Sequence, residues 1–288
     1  MSAPPKTAAI RGQVRIAAVK QGRGTQAMML KDKVVVVYGA GGAIGGAVAR
    51  AFASEGARLF VTGRRREPVD AVAEEIAAAG GSAEAATVDA LDEQAVDSHL
   101  RYVVEQAGRL DVSFNAVGVP DTEVVGVPLV DLDADRFSLP IADYTRSYFL
   151  TARLAARRMI ENASGVIMTL TALPARSGTT LVGGYAPAQA AKEALTRSLS
   201  AELAPHGIRV VALRPHGIPE TPSMREVAGL KAAGLGYEQF QKYLADSTHP
   251  RRVMTLADVA GAAVLMASDR ASGLTGTTVN LTMGGLDD

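Results

Sequence analysis

The stretch Lys33 to Arg50, KVVVVYGAGGAIGGAVAR, constrains the fold more than any other part of the chain. Val34 to Val37 form an unbroken β-branched run, which suits a parallel strand buried on both faces. Gly39, Gly41, Gly42, Gly45 and Gly46 follow, and they let the backbone turn sharply and approach a ligand without intervening Cβ atoms. Ala47 to Glu55 holds strong helix formers, so a helix N-terminus should aim its free N–H groups at that turn. Aligned amides and the helix macrodipole stabilise a pyrophosphate in such a place. Strand, glycine turn and helix in this order point to dinucleotide binding, with Gly39, Gly41, Gly42, Ile44 and Gly45 as candidate contacts. A tight turn that holds no ligand is the plain alternative.

The remainder reads as strands alternating with helices. Strands are expected at Arg58–Thr62, Ala83–Val88, Leu110–Phe114, Gly165–Leu170, Ile208–Leu213 and near Thr277–Leu281. Helices are expected to about Ala79, from a cap at Asp92 to about Gln106, over roughly Asp143–Ile160, over Tyr185–Ala204 and over Ala257–Ala267. That alternation implies an α/β fold in which a doubly wound parallel sheet is sandwiched between helices as three layers of a single domain. Ligands in such sheets bind beyond the carboxyl ends of the strands.

With 288 residues and 48% apolar content, the chain can bury one large core. A net charge of zero favours neither nucleic acid nor an anionic membrane surface. The absence of cysteine excludes disulfides and thiolate metal sites and fits a reducing cytoplasm. His99, His206, His216 and His249 show no metal-ligand spacing and read as surface or loop residues, so no metal is expected. No apolar run approaches the roughly 18 residues needed to span a bilayer. Residues 1–30 carry Lys6, Arg11, Arg15, Lys20 and Arg23 with no acid, and read as a basic extension, an arm on a neighbouring subunit rather than a targeting signal. Residues 31–288 form the domain.

From Leu30 onward the chain resembles the short-chain dehydrogenase/reductase family. YGAGGAIG at 38–45 is similar to the family's TGxxxGxG turn, with Tyr38 in place of Thr and Ala43 in place of the middle Gly. Asp89 matches the position that holds the adenine amino group, and Asn115 matches the first Asn of the NNAG segment. KEALTRSLSAELAPHGIRV, Lys192 to Val210, follows the family's passage from the active-site helix to the next strand, and GLTGTTVNL fits its close. The resemblance implies a Rossmann fold, a nicotinamide cofactor, a small-molecule substrate and a homotetramer or homodimer built on the helices at 143–160 and 185–204.

Charge decides which cofactor is expected. Relatives that prefer NAD place an acid at the end of the second strand to bind the ribose 2′-hydroxyl. Here that place is Gly63, followed by Arg64, Arg65 and Arg66. A guanidinium binds a 2′-phosphate through charge-assisted bonds, so NADP(H) is expected, with Arg64 as its contact and NAD(H) as the alternative. Solvation of a helix start is the bland reading of the same arginines.

The catalytic positions depart from the family. Ordinary members use Tyr and Lys in YxxxK, a Ser thirteen residues before the Tyr, and an Asn on the preceding helix. Tyr185 fits the tyrosine place, but Ala172 stands at the serine, Gln189 at the lysine and Tyr144 at the Asn. Lys192 lies seven residues after Tyr185, a spacing that resembles enoyl-acyl-carrier-protein reductases. That spacing gives a lateral offset of only roughly 20° and an axial one of about 10 Å, so an extended Lys192 is expected to reach back toward the nicotinamide ribose. A solvated helix lysine is the competing reading. Gln189 is expected to contact the ribose, and Thr171 to point away from the site by strand alternation. After the sixth strand, RPHGIPET carries one extra residue relative to the family, with Ile218 and Thr221 as candidate cofactor contacts. Ser223 to Ser247 is expected to form a substrate cover, hinged at Gly229, Gly234 and Gly236. The sequence thus reads as an NADP(H)-dependent oxidoreductase reducing a carbonyl or activated C=C or C=N bond of a small hydrophobic substrate. The competing class is a catalytically silent dinucleotide-binding sensor or scaffold.

Overall fold

A computed structural model describes residues 28–119, 123–231 and 236–287. Residues 1–27 of the expected extension, and Gly234 among the expected hinges, lie outside the described residues. The valine run forms β1 (Val34–Tyr38), followed by α1 (Ala43–Ser54), β2 (Arg58–Gly63), α2 (Arg66–Ala78), β3 (Ser82–Thr87), α3 (Glu93–Ala107) and β4 (Val112–Asn115). The second half runs through α4 (Ala134–Ile160), β5 (Gly165–Leu170), α5 (Tyr185–Leu203), β6 (Ile208–Pro215), α6 (Pro222–Lys231), α7 (Tyr237–Asp246), α8 (Leu256–Ala267) and β7 (Thr277–Leu281). The strands form one 7-stranded sheet in the order β3-β2-β1-β4-β5-β6-β7. Every neighbouring pair is parallel, with Val35 opposite both Leu59 and Val112.

Strand alternation divides the core into two layers. Val35 and Val37 pack with Phe52 of α1, Val72 of α2 and Ala263 of α8. Val34, Val36 and Tyr38 face the other way and pack with Leu100 of α3, Tyr148 of α4 and Leu199 of α5. A strand buried on both faces has no polar side to present, which is why β1 carries only valine before Tyr38.

Two expectations are corrected. The long helix starts at Ala134, not near Asp143, because Asp133 caps it by accepting from Arg136 N at 2.8 Å and Pro140 is carried within its length. The residue before a proline is biased away from helix, and Leu139-Pro140 therefore reads falsely as a start. The histidines are not all superficial either. His99 is buried against Phe60 on the inner face of α3, and burial lowers its pKa to about 4. Among the described residues no helix is long and apolar enough to cross a membrane, and no cluster of metal-ligating side chains forms.

Candidate active site

The glycine turn at the end of β1 is dictated by backbone contacts. Gly39 has φ +77, and a Cβ there would lie 2.6 Å from the Ala116 carbonyl oxygen. A Cβ on Gly45 would lie 2.3 Å from the Gly39 carbonyl oxygen. Only glycine permits this fold of the chain on itself. Gly42 is the N-cap of α1 without any capping side chain, and the first turn carries no acid. The N–H groups of Ala43, Ile44 and Gly45 therefore lack intrahelical acceptors at a positive helix end, which is the arrangement that holds a phosphate.

One side of this turn opens into a cleft lined by Gly39, Gly63, Arg64, Asp89, Leu91 and Val117. The three arginines behave differently. Arg66 is spent on Asp70, at 2.7 Å. Arg65 is the N-cap of α2. Arg64 is exposed, lines the cleft, and forms no ion pair among the described residues. Asp89 accepts from Leu91 N at 3.0 Å through Oδ1, which orients its carboxylate at the cleft rim. Asn115 is the last residue of β4. Its Nδ2 donates to Thr151 Oγ1 at 3.0 Å, its Oδ1 accepts from Val117 N at 3.4 Å, and the residue is buried. The side chain ties β4 to α4 inside the fold.

Tyr185 is the first residue of α5 and half-buried. Ala172, in extended conformation just past β5, offers no hydroxyl beside it. Thr171 turns inward as alternation predicts, donating to Glu193 Oε1 at 3.0 Å and approaching the Leu213 carbonyl at 3.3 Å. Gln189 is buried one turn below Tyr185 and makes no side-chain hydrogen bond among the described residues. Tyr144 fills the place of the family's Asn and packs its ring against Tyr185 and Ala188.

Lys192 is buried, against the competing reading of a solvated helix lysine. It lies seven residues after Tyr185 on α5. Nζ donates to the Leu170 carbonyl at 2.5 Å and lies 5.5 Å from the Tyr144 ring centroid and 5.9 Å from that of Tyr148. Being two turns down the helix places it under the tyrosines, where a backbone carbonyl and two ring faces replace water. Burial lowers its pKa to about 7. The carboxylate of the following residue, Glu193, is committed to Arg214 at 2.7 and 2.9 Å, a buried pair that sequence spacing gave no means to foresee.

The loop after β6 is also buried. Ile218 and Thr221 are both inside, and Thr221 Oγ1 donates to the Ile218 carbonyl at 2.9 Å. His216 is buried, against the expectation of an exposed loop residue. Ser247 Oγ donates to Leu244 O at 2.8 Å and lies 3.1 Å from His216 Nε2, within hydrogen-bond distance. Burial pushes the imidazole pKa down.

A parallel α/β sheet with a glycine turn, an exposed guanidinium and a tyrosine at the strand ends defines a dinucleotide-dependent oxidoreductase. Comparisons with known proteins agree. A family profile described as Enoyl-(Acyl carrier protein) reductase matches residues 39–285. The uncharacterized oxidoreductase YxbG of Bacillus subtilis (strain 168) is 31% identical over 87% of this chain and 89% of its own length. The 7alpha-hydroxysteroid dehydrogenase of Escherichia coli (strain K12) is 27% identical over 91% and 97%. The crystal structure of an NAD+-bound xylitol dehydrogenase superposes with a TM-score of 0.81 at 25% identity, covering 88% of this chain and 98% of that one. The chain belongs to the short-chain dehydrogenase/reductase family of NAD(P)-dependent oxidoreductases.

Proposed function

We propose that the chain uses NADP(H) to reduce a carbonyl or an activated C=C or C=N bond of a small hydrophobic substrate, with Tyr185 as the proton-handling residue. The observation that carries the cofactor choice is Arg64, exposed at the cleft without an ion pair among the described residues, with Gly63 where an acid would mark NAD. The cradle fits the group: a Cβ would fill it at Gly39 and Gly45, and the first turn of α1 has no acid to repel a phosphate. When bound, a nicotinamide dinucleotide supplies or accepts hydride.

The chain's own residues do the rest. The backbone amides at Ala43 to Gly45 hold the pyrophosphate, Asp89 takes the adenine amino group, and Arg64 takes the 2′-phosphate. Gln189, buried on α5, offers an amide to a ribose hydroxyl but no charge. Tyr185 gives its phenolic proton to the oxygen or carbon on which negative charge develops. A phenol with an ordinary pKa near 10 is a weak acid at neutral pH unless a cation assists it. Ala172 supplies no serine hydroxyl and the Lys192 ammonium already donates to the Leu170 carbonyl, so activated double bonds, which ask less of the proton donor, are the favoured substrates. The same replacements favour the competing reading of a silent dinucleotide-binding sensor or scaffold. We further propose a cytoplasmic homotetramer or homodimer built on α4 and α5, which light scattering on the purified protein tests.

Mixing the protein with NADPH and a panel of ketones and enones tests the main reading. Loss of reduced-nicotinamide absorbance with at least one substrate is expected. Tight NADPH binding without turnover of any would leave the sensor reading.

A further inference from the structure

The loop from His216 to Thr221 leaves the carboxyl end of β6 and borders the glycine turn. Ile44, in the first turn of α1, packs against the cluster that Ile218 forms with Met254 and Val259. The loop is held from its other side by residues of the α6–α7 segment. Tyr237 donates its hydroxyl to the Pro219 carbonyl at 2.6 Å, a short bond. The ring bearing that hydroxyl is itself fixed: the Arg225 guanidinium lies 4.8 Å from its centroid, and Phe240 stacks on it at 6.3 Å with an interplanar angle of 30°.

Both ring contacts would survive in a phenylalanine, so they do not account for the hydroxyl. A cation over the ring face draws electron density from the phenol and makes its O–H a stronger donor. The acceptor belongs to a proline, whose fixed φ makes the peptide a stiff handle on the loop. We propose that Tyr237 is a positioning residue for the dinucleotide site: through Pro219 it holds the loop against the first turn of α1 and ties the α6–α7 segment to the pyrophosphate and nicotinamide end of the cofactor. The proposal rests on the dinucleotide reading above. A loop held in place before binding spares the ligand the cost of ordering it.

The test is Tyr237→Phe, titrated with whichever of NADPH and NADH binds the wild type more tightly, and with the matching adenosine fragment, 2′,5′-ADP or AMP. Loss of one hydrogen bond should raise the dinucleotide Kd about three- to tenfold. The fragment, which ends before the loop, should bind with its wild-type Kd. An unchanged dinucleotide Kd overturns the proposal, and so does an equal weakening of dinucleotide and fragment, which would mean a general loss of structure. A wild type that binds neither dinucleotide removes the underlying reading instead, a result distinct from a variant that matches its parent.

Discussion

Tyr144 stands edge-on to Tyr185, ring centroids 5.6 Å apart and planes at 74°. An aromatic pair of this geometry is worth about 0.5–1.5 kcal/mol beyond its buried area. The phenol of Tyr185 is thus steered by a neighbouring ring on α4, where relatives place an asparagine. Tyr185→Phe keeps the ring contact and removes the proposed acid. It should lower kcat by roughly 10²- to 10⁴-fold, the usual contribution of a positioned proton donor, while NADPH binding is retained. Unchanged turnover would remove Tyr185 from the mechanism.

Lys192 should make stability depend on pH in a definite direction. Burial lowers its pKa to about 7 in the fold, from an ordinary value of 10.5. Between these values the unfolded chain binds the extra proton, so the wild type gains stability as pH rises through that window. Below it the ammonium is buried charged and carries its full desolvation cost. Lys192→Met should therefore be more stable than the wild type near neutral pH, by on the order of a few kcal/mol, with the difference narrowing toward pH of about 10. Urea unfolding of both proteins across this range measures it; a pH-independent difference would contradict the assigned burial.

The sequence displays what is local and hides what depends on the opposite wall. The strand, turn and helix from Val34 to Ser54 are readable because each step is set by neighbours in the chain, and Thr171 points inward because alternation leaves it no choice. The surroundings of Lys192 were illegible for the complementary reason. A helical stripe tells which side a residue faces, but nothing in YAPAQAAK reveals that the Leu170 carbonyl and the rings of Tyr144 and Tyr148 wait opposite. Asn115 shares the lesson: its position is legible, while its commitment to Thr151 depends on a helical residue 36 positions further along the chain. His99 and His216 look superficial as isolated letters and become buried only when β2 and α7 pack over them.

Tyr38 carries a cost that the fold does not offset. The residue is fully buried at the end of β1, and its hydroxyl has no hydrogen-bond partner among the described residues. Burial raises the phenol pKa far above its ordinary value, so it stays neutral at any working pH. A buried unsatisfied hydroxyl costs about 1–3 kcal/mol relative to one left in water. Tyr38→Phe should accordingly be neutral or stabilising by about 1 kcal/mol, read as a higher urea midpoint with unchanged slope. A clear loss of stability would mean that the hydroxyl has a partner in solution.

On the proposed reading, cofactor preference turns on Arg64. It is exposed at the cleft, free of the ion pair that occupies Arg66, and adjacent to Gly63 rather than to an acid. A hydrogen bond to a charged group contributes roughly 1.5–3 kcal/mol, and a 2′-phosphate offers such a partner where a 2′-hydroxyl does not. Arg64→Ala should weaken NADPH about 10- to 100-fold and leave NADH within about twofold. Placing a carboxylate at the preceding position, Gly63→Asp, should move preference further toward NADH by repelling the phosphate and accepting from the ribose hydroxyl. That substitution is tight, since a Cβ on Gly63 meets Val69 Cγ2 at 2.9 Å, so the side chain of Val69 has to shift and Gly63→Asp is best read beside Val69→Ala. Paired titrations with the two dinucleotides decide the matter: equal losses for both would show that Arg64 solvates the start of α2 and reads no phosphate.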